Sequence, residues 1–322
     1  MEDLIIILSD GVFHSGEDLG KKLDITRAAV WKKICKIKTL GIPLESKKGL
    51  GYRIIGGLDL LKKEDIYDNL STIVKPLVSN LEVLSTTTST NTLARKNAEN
   101  FDSSGSIILA EAQTDGRGRR GKSWISPYGC NLYLSIVWGF SGGIQEIEGL
   151  SLATACSVLK GLEKCGADNI ELKWPNDLMH KKKKIGGILL EIVGDPSGYC
   201  QVIIGVGINI NMPKINSKQI DREWTNTKKL LNPEVSRNDL ATKIIEQILL
   251  LLLEYKKSGF SSYKDEWLMY DNSIGKKVKL IMVNNTVEGV VRGIDSSGGL
   301  ILEVGGIEKT FSGGEISLRE CE

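Results

Sequence analysis

The 322-residue sequence carries 42 Lys and Arg against 40 Asp and Glu, a formal charge of +2, with 41% hydrophobic and 25% charged residues. That balance excludes a protein coating nucleic acid by bulk charge, and it supplies enough apolar residues for two or three well-cored domains. The charge is uneven: residues 1–57 hold ten cations and seven anions, so the head is +3 and the remainder −1.

Met1-Glu2-Asp3 opens acidic, without the basic start of a secretory leader, which predicts a cytoplasmic protein. Residues 4–8 suit a buried first helix. Ser15, with Asp18 three positions on, opens a second helix over 17–22. Leu23-Asp24-Ile25 makes a turn, and Thr26 caps a third helix with Val30, Ile34 and Ile37 on one face. Arg27, Lys32, Lys33, Lys36 and Lys38 occupy its other faces. Lys47-Lys48-Gly49-Leu50-Gly51-Tyr52 lies between short extended runs and reads as a wing. This order predicts a winged helix-turn-helix over 1–60. Its DNA contacts are expected from Gly16, Glu17, Asp18, Leu19, Thr26, Arg27, Ala28, Ala29, Trp31, Lys32, Lys33 and Lys36, with Lys47 and Lys48 on phosphates. A solvated basic helix beside a structural hairpin is the competing reading.

Gly56, Gly57 and the polar stretch to Asn69 read as a hinge into an α/β domain over 75–268. Strands are expected at 106–112, 131–138, 170–174, 185–193 and 200–210. Helices are expected after Ser89-Thr90-Asn91, over 147–164, and after Ser236. The last carries the apolar run 248–253, too short to span a bilayer. Residues 272–322 change texture. Val278, Leu280 and Met282 alternate with other residues up to an Asn284-Asn285 turn, and glycine-rich turns follow. They predict a small SH3-like β-barrel with no catalytic constellation. Six scattered cysteines without a Cys-x-x-Cys pair, and two distant histidines, supply no metal-ligand set.

The chemistry concentrates in the central domain. Residues 116–124 read Gly-Arg-Gly-Arg-Arg-Gly-Lys-Ser-Trp, three glycines among four cations. Glycine lets backbone N–H groups approach an anion, and arginine adds forked donors matched to phosphate or carboxylate. Trp124 offers an apolar body that can anchor the loop or cover a ligand. The spacing is not that of a P-loop, and a solvated basic loop is the alternative. Ser89-Thr90-Asn91 places small polar groups at a helix start, where a plain N-cap is the alternative. Gln113 ends a strand. Lys173-Trp174-Pro175-Asn176-Asp177 forces an extended residue and then a turn. Of Lys181, Lys182, Lys183 and Lys184, only the last adjoins the apolar strand and is expected to be held inward. Gly205-Val206-Gly207-Ile208-Asn209 ends a strand on a polar side chain.

In this order, these segments resemble the biotin–protein ligases over essentially the whole chain, and the head resembles that of the bifunctional members that also repress biotin genes. The resemblance implies an α/β multidomain fold whose central mixed-sheet domain is like that of class II synthetases. It implies a reaction in which ATP and biotin give biotinoyl-5′-AMP, whose acyl group passes to a lysine of a biotin carboxyl carrier protein. Mg²⁺ would accompany ATP, homodimerisation would follow when the adenylate, as corepressor, orders the loops, and the N-terminal head would bind operator DNA. By position, Lys184 and Arg119 match catalytic residues. Ser89, Thr90, Asn91, Gln113, Arg117 and Gly118, with Arg119 and Lys184, match the biotin site. Arg119, Arg120, Asn176, Asn209 and Trp224 match the nucleotide side. Two departures stand out. Lys122 replaces a frequent arginine, and residues 214–229 carry little motif, so Trp224 is matched by place. A ligand sensor with decayed catalysis and a lipoate ligase are the rival functions; the intact Lys184 and glycine loop disfavour the first, and the loop with its DNA-binding head the second.

Overall fold

In the computed structural model, which describes residues 1–213, 220, 223–282, 285–312 and 317–320, the chain opens with α1 (Glu2–Leu8), α2 (Gly16–Leu23) and α3 (Arg27–Thr39). The hairpin β1 (Leu44–Lys47) and β2 (Gly51–Ile54) completes the winged head. The Ser15 and Thr26 side chains accept the N–H groups of Asp18 and Ala29, satisfying donors that a helix start leaves open. Between the two helices the chain turns at Asp24, in the left-handed region (φ 51°). Leu4, Ile5, Leu8, Leu19, Val30, Ile34, Ile37 and Ile54 form the core.

The polar stretch after Gly57 is not simply a hinge. Lys63–Asp68 forms α4, and Leu61, Ile66, Leu70 and Val74 enter the central core. Their spacing gives one apolar face on an otherwise charged segment, which composition alone disguises. The true link, residues 58–61, is tied down. Leu61 donates its N–H to Glu111 Oε1 at 2.6 Å, and Asn238 Nδ2 donates to Leu60 O at 2.9 Å.

The central sheet has seven strands: β3 (Asn80–Leu84), β4 (Ser106–Ala110), β5 (Leu132–Phe140), β6 (Glu171–Lys173), β7 (Asp177–His180), β8 (Lys183–Gly194) and β9 (Cys200–Ile208). Their spatial order is β3-β4-β5-β9-β8-β7-β6. Only β3 and β4 run parallel, joined by the crossover helix α5 (Thr90–Asn100). Ala94 and Ala98 of α5 pack on Ile108, Val137 and Ile203. Helices α6 (Leu150–Lys164) and α7 (Arg237–Ser258) join the larger cluster of buried side chains with the sheet, and α7 starts with a full Ser236–Asp239 capping box. The helix expected from 147 begins at 150, because Gly149 adopts φ 69° and residues 143–147 form a separate 3₁₀ turn.

After α8 (Ser261–Tyr270), the strands β10 (Lys277–Ile281), β11 (Thr286–Ile294), β12 (Leu300–Val304), β13 (Ile307–Phe311) and β14 (Ser317–Glu320) form an antiparallel sheet, ordered β13-β12-β11-β10-β14. Asn284 of the expected turn lies outside the described residues. Val278, Leu280, Val291, Leu300, Leu302 and Leu318 belong to the same buried cluster as the central domain, so the C-terminal sheet is packed onto it as one body of core.

Candidate active site

Strand ends and the start of α5 converge on a cleft of about 360 Å³ that is lined by every residue the sequence assigned to a ligand. Ser89 caps α5 by accepting the Thr92 N–H at 3.5 Å. The Thr90 N–H donates to Gln113 Oε1 at 2.9 Å, while Gln113 Nε2 donates to Ser126 Oγ at 2.9 Å. Ser135 Oγ, fully buried on β5, stands 2.7 Å from Thr90 Oγ1 and 2.6 Å from Asn91 Oδ1. Plain capping therefore accounts for Ser89 only in part: Thr90 and Asn91 are locked into a polar wall at one end of the cleft.

The glycine loop closes on itself. Gly118 N–H donates to Lys122 O and Trp124 N–H to Gly116 O, both at 2.7 Å. Arg120 and Gly121 take left-handed backbone (φ 58° and 68°), which turns the chain. A side chain at Gly116 would collide with Trp124 O at 2.3 Å. Arg119 Nη1 donates to Asn176 Oδ1 at 3.2 Å, and Asn176 Nδ2 donates to Ile188 O at 2.6 Å. The loop is thereby spanned onto the turn between β6 and β7, where Lys173 pairs with Asp177 in the sheet register.

Lys184 sits between the two ends of the cleft. Its ammonium is 2.5 Å from Asp177 Oδ1, with the two side chains 19% and 11% exposed, and it lies 5.2 Å from the Trp124 ring centroid. The expectation that this lysine alone is drawn inward holds; Lys181, Lys182 and Lys183 are exposed, the first two with positive φ in the turn. Its backbone also clasps the second loop: Lys184 N–H donates to Glu223 O and Thr225 N–H to Lys184 O, both at 3.0 Å. This bridge sets Trp224, which had no motif behind it, beside Lys184 and into the cleft wall. Asn209 closes the same end, its N–H donating to Ile185 O at 2.8 Å.

Several contributors escaped the sequence reading. Asp177 lay within a segment that carried the resemblance, but only Asn176 of it was given a role. Glu191 accepts Asn91 Nδ2 at 2.8 Å and Arg117 Nη2 at 2.9 Å. Trp174 is buried, its indole donating to Gly298 O at 3.1 Å, which ties the β6–β7 turn to the C-terminal sheet. Leu318 brings that sheet into the cleft itself, so the domain expected to hold no chemistry still supplies a wall. Burial pushes the Tyr133 phenol well above its usual range, leaving it a neutral donor to Pro127 O at 2.9 Å. Small polar groups thus stand at one end and side-chain amides at the other, with the cations Lys184, paired with Asp177, and Arg119, hydrogen-bonded to Asn176, between them.

In the head, Arg27, Ala28, Lys32, Lys36, Lys47 and Lys48 are exposed, and Trp31 is 58% exposed on α3. Glu17, Asp18 and Thr26 are exposed at the helix starts, and Gly16, Ala29 and Lys33 are half-buried. Leu19 is the exception among the expected DNA contacts. Its side chain is fully buried against α3, because it is the apolar residue on the inner face of α2.

Residues 83–209 match the biotin/lipoate A/B protein ligase family, residues 1–53 a helix-turn-helix domain, and residues 273–319 the biotin protein ligase C-terminal domain. The chain is 38% identical to the bifunctional ligase/repressor BirA of Salmonella typhimurium, covering 99% of this chain and 97% of that one. It is 32% identical to the protein of that name from Bacillus subtilis, over 97% and 96%. Among solved structures, biotin protein ligase from Aquifex aeolicus in complex with biotin and ATP superimposes with a TM-score of 0.65 at 28% identity, covering 76% of this chain and all of that one.

Proposed function

The chain belongs to the biotin protein ligase family, in its bifunctional ligase/repressor branch, and on that footing we propose how its own residues carry out the two activities. It is an ATP-dependent biotin–protein ligase and a DNA-binding repressor. Biotin's ureido ring is held by Ser89, Thr90, Asn91 and Gln113, and its carboxylate is directed toward Lys184. The carboxylate oxygen attacks the α-phosphorus of ATP, pyrophosphate leaves, and biotinoyl-5′-AMP remains. Lys184 and Arg119 supply fixed positive charge where negative charge develops in that step, which lowers its barrier. Asn176, Asn209 and Trp224 hold the nucleotide. The amine of a carrier-protein lysine then attacks the acyl carbon, forming the amide and expelling AMP.

Mg²⁺ fits this chain as a companion of the nucleotide. Among the described residues no group of three or more His, Cys, Asp or Glu forms a metal cage. A hard cation bound through phosphates needs none; the Asn209 carboxamide is the group that would face it, since Asn176 Oδ1 accepts from Arg119. Among the described residues no helix is long and apolar enough to cross a membrane. The described cysteines are free thiols, which supports a reducing, cytoplasmic site of action.

The observation that carries the catalytic reading is the place of Lys184, half-buried between the polar wall and the nucleotide side. Biotin-dependent ATP–pyrophosphate exchange tests it. The wild type is expected to exchange with biotin and not with lipoate, and Lys184→Ala to lose roughly 10²–10³-fold. A wild type that does not exchange overturns the ligase mechanism; undiminished exchange in the variant overturns the role of Lys184.

A further inference from the structure

Glu191 lies in the interior of β8, opposite Ile203 of β9, with its side chain only 11% exposed. A carboxylate in such a place is costly unless paired and hydrogen-bonded. It has two close partners, from different parts of the chain. Oε2 accepts Asn91 Nδ2 at 2.8 Å, and Oε1 accepts Arg117 Nη2 at 2.9 Å, with Arg95 Nη1 further off at 3.7 Å. Arg117 Nη1 also reaches Thr92 Oγ1 at 3.4 Å. The first arginine of the glycine loop therefore has its guanidinium fastened to the seam between α5 and β8. Arg119 fastens the same loop to Asn176 on the opposite shoulder.

The same carboxylate fixes the orientation of Asn91. With Nδ2 directed to Glu191, Oδ1 faces Ser135 Oγ at 2.6 Å and packs where a side chain on Gly205 would stand 2.2 Å away. Loop position and polar-wall geometry thus share one charged group.

We infer that Glu191 is a positioning residue that latches the glycine loop shut through Arg117 while setting the Asn91 amide, so that it governs ligand retention. In its ligand terms this rests on the ligase reading above; the latch itself does not. The charge-assisted pair is half open to water on the arginine side (42% exposed), so its coupling is modest and salt-sensitive.

Cleavage of the ligand-free protein between 116 and 124 by a broad-specificity protease reads the latch directly. Glu191→Gln is expected to speed it about fivefold, Arg117→Gln to do the same, and the double variant to add nothing further. Arg117→Lys should recover part of the protection. Glu99→Gln, on the exposed face of α5 beside Arg95, should be cleaved at the wild-type rate. With biotin and ATP, Glu191→Gln is expected to raise the KM for biotin and the dissociation rate of the adenylate about fivefold, more than it lowers kcat. Wild-type cleavage of Glu191→Gln, or losses that add in the double variant, overturns the latch. Should Glu191→Gln fail to fold, Arg117→Gln tests the same latch from the exposed side, and wild-type cleavage there overturns it equally. If the wild type lacks exchange while the cleavage difference persists, the ligase reading fails and the latch stands.

Discussion

Gly205 and Gly207 are adjacent on one face of β9, and each leaves room for a neighbour from elsewhere in the chain. A side chain at Gly205 would meet Asn91 Oδ1 at 2.2 Å, and one at Gly207 would meet the Trp124 indole at 2.6 Å. These approaches are backbone against a rigid ring or a locked amide, so neither neighbour can give way cheaply. Gly207→Ala is expected to push Trp124 off Lys184 and to weaken biotin binding by roughly 10- to 100-fold. Titration calorimetry with biotin checks this, and wild-type affinity would show that Trp124 plays no part in the cleft. The sequence pointed to this segment through its terminal asparagine, and the glycines mattered more than that reading allowed. Their need is set by atoms 83 and 114 positions away, which no local pattern announces. By contrast, Lys184 was legible because its neighbours on the strand are apolar while the lysines before it occupy a turn.

At the scale of elements, the first residue of α7 does more than extend a capped helix. Arg237 Nη1 donates to Glu111 Oε2 at 2.8 Å and to Asp59 O at 2.6 Å, and Nη2 donates to Asn131 O at 2.7 Å. Asn131 Oδ1 in turn accepts the Ile210 N–H at 3.0 Å, one residue past Asn209. Both charged side chains are 4–5% exposed, so removing one strands the other in a medium that cannot solvate it. Arg237→Ala is expected to cost about 3–5 kcal/mol, read from urea unfolding monitored by tryptophan fluorescence. Glu111→Gln with Arg237→Met should cost less than the sum of the two single changes. A cost near zero would mean that the linker is held by its apolar residues alone. The Ser236 cap was readable from sequence because capping is local. The ion pair joins residues 126 positions apart, and the charged stretch around α4 hid its buried face behind the same composition that suggested a hinge.

Across the whole molecule, the head and the cleft share material. Ala112 and Tyr128, just before and just after the segment that holds the glycine loop, belong to the apolar core of the winged helix. Glu111 O accepts the Gly129 N–H at 3.0 Å, pinning the two stems together beneath it. The stems of the loop are therefore packed into the DNA-binding head, and a link between cleft occupancy and DNA affinity through that contact is a prediction. A gel shift on the operator of the chain's own biotin genes is expected to strengthen when biotin and ATP are both present, and not with either alone; equal binding in all cases would overturn the corepressor model. Domain order and the residues that line the cleft were visible in the sequence because most of the motifs are strand ends or helix starts. The shared footing was not, since it arises only when distant stems meet. Leu318 carries a different consequence. It stands in β14, which pairs with β10, and it lines the cleft. The loop, the lysine and the polar wall are all synthesised well before that residue emerges. A chain cut short upstream of it has the reactive groups and lacks a side of the chamber. Because a bound ligand stabilises only the form that binds it, biotin and ATP are expected to raise the melting temperature of the chain carrying Leu318 more than that of a chain cut short upstream of it, and equal shifts would show that Leu318 adds nothing to ligand binding.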